Sequence, residues 1–109
     1  RNVWSDAERQ LVERRFIVAQ AAAKQQLWSD EIEALYAGGR HLNRRSLSYL
    51  VRAVAIYVVV VIMETPKLWA AVGLGLSRRY VQRSVSLVEA WRDAAAIDAA
   101  LETIAATIP

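Results

Sequence analysis

"KLWAAVGLGLSRRYVQRSV", residues 67–85, reads as two short helices joined by a tight turn. Short helices that cross steeply bring their backbones close, and the small residue Ala71 permits this. Four residues on, Gly75 suits a turn that needs positive φ. Leu74 precedes it, Leu76 tucks inward, and Val81 anchors the second helix on the core. Gly73 reads as slack before the bend. Ser77 stands at the N-cap, where a hydroxyl satisfies a free amide of the first turn. Ser84 is a departure, because such motifs often carry an apolar residue there; Val85 and Val88 are expected to supply the packing. The whole unit spans about 66–94.

The other face of the second helix is polar. With Val81, Val85 and Val88 turned inward, Arg78, Arg79, Gln82, Arg83 and Ser86 point out. Positions 79, 82, 83 and 86 follow the i, i+3, i+4, i+7 spacing of one helical stripe. A helix kept soluble by arginines would mix in glutamates, and none occurs before Glu89. Arg pairs bidentately with the guanine edge and Gln with adenine. Free amides near Ser77 suit a phosphate. The stripe Ser77, Arg78, Arg79, Gln82 and Arg83 is therefore the expected base-reading surface.

Around this unit the chain reads as all-α. It has 109 residues, 55% of them hydrophobic, which fits one domain with a modest core. Four Gly and two Pro are too few for a many-turned β-fold. The longest apolar run, Ala53–Met63, has eleven residues, short of the about 20 that span a bilayer. Its valines locally favour a strand, but no second such run exists to pair with it. It is expected as the buried central helix, roughly Leu47–Met63.

The remaining segments fill in a bundle of about six helices. Residues 4–28 read as a long first helix with a Ser5–Glu8 capping box. Its apolar face is Leu11, Val12, Phe16, Ala19 and Ala23. Ser29 caps a shorter helix over 30–37, with Ile32, Leu35 and Tyr36 inward, and Gly38-Gly39 ends it. "RHLNRRS", residues 40–46, reads as a basic loop. Pro66 suits the first turn of the 67–73 helix. The helix capped by Ser77 is expected to run to about Ala94. A last helix over 94–108 turns Ile97, Leu101, Ile104 and Ile108 inward.

Charge is segregated along the chain. Residues 40–88 hold Arg40, Arg44, Arg45, Arg52, Lys67, Arg78, Arg79 and Arg83 against the single acid Glu64. The rest holds six basic and ten acidic residues. A basic middle between acidic ends points to a polyanionic partner. Arg40, Arg44, Arg45 and Lys67 are the expected contacts to backbone phosphates or a narrow minor groove.

Other classes find little footing. There is no Cys, and His41 is the only histidine, so neither a disulfide framework nor a Cys/His metal site is expected. No nucleophile–base pair is evident, so neither catalysis nor a cofactor is expected. Residues 1–15 are polar and charged, unlike a signal peptide. A cytoplasmic, nucleoid-associated protein without a membrane partner is the expectation.

"VRAVAIYVV", a short helix, a glycine turn, a polar helix and one more helix together resemble the C-terminal duplex-binding domain of the bacterial replication initiator DnaA. Arg52, Ala55, Ile56 and Tyr57 fall where that family has Arg, Ala, Met and Tyr. Gly75 falls in its glycine turn and Val81 on its apolar helix position. The resemblance covers about residues 29–108 and implies a Trp-repressor-like helix-turn-helix. In the family an arginine of the loop before the central helix enters the minor groove. Its recognition helix opens Arg-Asp-His-Thr-Thr; here "LSRRY" stands instead, so a different base specificity is implied. No Walker segment is present. The form with altered specificity is similar to the gene transfer agent activators of α-proteobacteria.

The leading expectation is thus a sequence-specific double-stranded DNA-binding domain of a transcription activator at phage-like promoters. RNA polymerase or a co-activator would be a further partner. Origin binding by a DnaA paralogue or fragment is one alternative, and a helical protein-interaction adaptor is another.

Overall fold

A computed structural model describes residues 6–27 and 44–108, and they are all-helical. The order is α1 (Asp6–Leu27), α2 (Arg44–Tyr57), a π-helical turn (Val58–Ile62), α3 (Lys67–Leu74), α4 (Arg78–Trp91) and α5 (Ala95–Thr107). The helix expected over 30–37, Ser5 of the capping box, and Arg40 and His41 of the basic loop lie outside the described residues. So do the side chains of Arg44 and Arg45.

The central helix is the spine of the core. Every residue from Ala53 to Val59 is buried. A helix apolar on all sides must be covered on all sides. α1 covers one side and α4 another, while α1 also packs on α3 and α5. α1 contributes Val12, Ala19, Ala23 and Leu27; α5 contributes Ile97, Ala100, Leu101 and Ile104. Leu11 and Phe16, expected on the α1 core face, are only half-buried.

α2 differs from the expected Leu47–Met63 helix at both ends. It starts at Arg44, so Arg44 and Arg45 belong to its first turn and not to a loop. Arginine is a good helix former, and no breaker separates it from Leu47. At the other end the α-helix widens into a π turn over five residues. Four consecutive valines, Val58 to Val61, crowd the preceding turn with branched Cβ atoms. The Met63 amide then donates to the Val58 carbonyl at 2.8 Å.

The exit from the π turn is tight. Glu64 takes a left-handed φ of 54°, a conformation that costs a residue with a Cβ about 1–2 kcal/mol. Buried Thr65 holds the turn in place: its amide donates to the Val59 carbonyl at 3.1 Å and its hydroxyl accepts from Arg15 of α1 at 2.9 Å. Pro66 follows with φ −55° and sets the start of α3.

Gly73 lies inside α3 and is not slack. A Cβ there would stand 2.6 Å from Cβ and Cγ1 of Val12, so α3 lies directly on α1 at this point. α4 ends at Trp91, short of the expected Ala94, and residues 92–94 form the turn into α5.

Candidate nucleic-acid interface

The turn between α3 and α4 is a C-terminal glycine cap. Gly75 has φ +67°, the left-handed value that a Cβ opposes. Its amide donates to the Val72 carbonyl at 3.3 Å, and the Leu76 amide donates to the Ala71 carbonyl at 2.9 Å. These two bonds satisfy carbonyls that the end of α3 would otherwise leave unpaired. Ser77 then caps α4, its Oγ accepting from the Tyr80 amide at 3.0 Å.

α4 docks through Val81, Ser84, Val85 and Val88, all buried. Ser84 therefore occupies a core position itself, where Val85 and Val88 were expected to compensate for it. It is tolerated because its hydroxyl donates to the Tyr80 carbonyl one turn back, at 3.0 Å. Tyr80 is half-buried, and the Arg52 guanidinium of α2 stands 5.5 Å from its ring centroid. That cation–π contact ties α2 to the first turn of α4.

With the docking face fixed, Ser77, Arg78, Arg79, Gln82, Arg83 and Ser86 are all exposed. Arg78, Arg79 and Arg83 make no hydrogen bond or ion pair among the described residues. Arg78 and Arg79 are the first two residues of α4, and its first turn holds no acid. A helix N-terminus already carries about half a positive charge, so acids stabilise it and cations oppose it. The two arginines thus work against helix stability and concentrate positive potential at one end of α4.

Lys67, the first residue of α3, joins this end. Lys67, Arg78, Arg79 and Gln82 line an open depression of about 440 Å³. Lys67 Nζ donates to Gln82 Oε1. Gln82 Nε2 donates to Ser86 Oγ at 3.0 Å.

The opposite end of α4 is anchored and acidic. Arg92 donates to Asp98 at 2.6 Å, to Glu102 at 2.8 Å and to the buried Tyr57 hydroxyl at 3.0 Å. The Tyr57 hydroxyl in turn donates to Glu89 at 3.4 Å. The Asp98 bond, then the Tyr57 bond, push the Arg92 pKa above its ordinary value. Through these bonds the guanidinium clamps α2, α4 and α5 together. This hub was not legible in the sequence, since Tyr57 lies 35 residues from Arg92. The Lys67–Gln82 and Arg52–Tyr80 contacts likewise join residues far apart in the chain, and no local pattern marks them.

A larger depression, about 610 Å³, lies elsewhere and is mostly apolar. It is lined by Arg14, Arg15, Val18, Ile62, Met63, Glu64, Ala105 and Ile108. Among the described residues, no group of three or more His, Cys, Asp or Glu is placed to hold a metal ion. No described helix is long and apolar enough to cross a membrane. No family model matches the sequence, and neither a curated protein nor a solved structure matches it.

Proposed function

We propose that the chain is a sequence-specific double-stranded DNA-binding domain of a bacterial transcription regulator, with the N-terminal half of α4 entering the major groove. One observation carries this reading: Arg78, Arg79 and Arg83 stand exposed and have no hydrogen-bond or ion-pair partner among the described residues, and two of them are set against the dipole of the helix that bears them. Side chains placed at a cost to local stability are best explained by an anionic partner. Gln82 supplies an adenine-matching group on the same face, and Lys67 adds charge beside it.

The residues shared with the DnaA duplex-binding domain support a Trp-repressor-like docking mode. The stretch "SRRY" supports a target other than the replication origin. An activator acting at phage-like promoters of gene transfer agents is the finer form of this reading. Arg40, Arg44 and Arg45 would then hold backbone or minor groove, as the resemblance implies.

Titrating labelled duplexes at several salt concentrations tests the reading. Log K should fall with log salt with a slope of about −0.9 for each phosphate neutralised. An origin box should bind no better than a pool of promoter fragments; preference for the box would move the assignment to replication. The second reading, a helical protein-interaction adaptor, draws on the apolar depression between α1 and α5. Absence of any salt-dependent duplex binding would favour it.

A further inference from the structure

Gln82 sits in the middle of the exposed face of α4, and its carboxamide is held at both ends. Lys67 Nζ donates to Oε1, and Nε2 donates to Ser86 Oγ at 3.0 Å. A carboxamide can be turned over, exchanging its oxygen and nitrogen. Hydrogen bonding to Lys67 favours one of the two orientations. An ammonium carries three donors and no acceptor, so only the oxygen can face it. The Ser86 hydroxyl donates or accepts and imposes no choice of its own. The polarity of Gln82 is thus set from α3, by a residue 15 positions earlier in the chain.

We infer that Lys67 is a positioning residue that determines base specificity by fixing the orientation of the Gln82 carboxamide. This rests on the DNA-binding reading above and gives Lys67 a different role from a phosphate contact. The carboxamide oxygen accepts two hydrogen bonds and the nitrogen donates two. One of each is used within the protein, so one acceptor and one donor remain side by side. That pair matches adenine, which offers the N6 donor and N7 acceptor in the major groove. Guanine offers acceptors at both O6 and N7 and sets one of them against the Gln82 oxygen. Because Lys67 fixes which end is oxygen, the surface accepts adenine in one orientation of the base pair. A carboxamide free to turn over would accept both orientations.

Selection from randomised duplexes with the wild-type chain, K67M, K67R and Q82A tests this. Lys67 is exposed, and methionine keeps the apolar stem while removing the donors. The wild-type pool should show adenine at one position, and Q82A should lose it by about 5- to 150-fold, the range of one bidentate pair. K67M should flatten the preference at that same position alone, while K67R, which still donates, should keep it. The salt slope of K67M on random duplex should match the wild type. Two results would overturn the inference while leaving DNA binding in place. One is an unchanged adenine preference in K67M. The other is an equal loss on all sequences with the slope shallower by about 0.9, which marks a phosphate contact. A wild-type chain with no salt-dependent duplex binding would overturn both the inference and the reading beneath it.

Discussion

Gly73 of α3 faces Val12 of α1 so closely that a Cβ added to the glycine would lie 2.6 Å from the valine Cβ. The packing of α3, and through it the placement of α4, depends on this missing methyl. Gly73→Ala should destabilise the fold by roughly 1–3 kcal/mol, the usual cost of overpacking a core. Helix propensity alone gives the opposite sign, since Ala exceeds Gly by about 1 kcal/mol. Urea unfolding decides between them: a raised midpoint would show that α1 and α3 do not meet here. Gly75→Ala meets no neighbour within 4 Å, so its expected cost, about 1–2 kcal/mol, comes from the left-handed backbone alone.

The Arg92 hub makes a separate prediction. Tyr57→Phe removes one hydroxyl shared by Arg92 and Glu89. It should cost about 0.5–1.5 kcal/mol, the net worth of a typical hydrogen bond. Arg92→Met removes the bonds to Tyr57, Asp98 and Glu102 together and should cost more, although exposed Glu102 contributes little. Hydrogen exchange should quicken first in α5, which the hub ties to α4. Unchanged exchange in Arg92→Met would mean that Ile97, Leu101 and Ile104 alone hold α5.

Stability and binding should part company at the start of α4. Replacing Arg78 and Arg79 together by Glu places acids where the helix dipole favours them. The melting temperature should rise, by an amount corresponding to about 0.3–1 kcal/mol per position, while duplex binding is lost. A fall in melting temperature would mean that the arginines have a structural role in the fold.

What the sequence revealed and what it hid follow from distance along the chain. Gly75 and Ser77 were legible because a left-handed turn and an N-cap are local demands with few residues able to meet them. The exposed arginine stripe was legible because Val81, Val85 and Val88 set the phase of one helix. The role of Gly73 is hidden because its reason lies in another helix, 61 residues back at Val12. Ser84 looks like a gap in an apolar pattern, whereas its own helix supplies the acceptor that lets it be buried. The run of charge around Arg44 and Arg45 suggests a loop, yet arginine propagates a helix well. The π turn depends on how four valines crowd one another, which a period-counting pattern does not register.

The central claim is that the N-terminal half of α4 reads base edges. Its most direct test is the affinity of Arg79→Ala, compared on the duplex enriched by selection and on random duplex at one salt concentration. The expected result is a loss of about 1–3 kcal/mol on the enriched duplex, with relaxed specificity at one position and a smaller change on random DNA. An equal loss on both duplexes would contradict it, since Arg79 would then touch only the backbone.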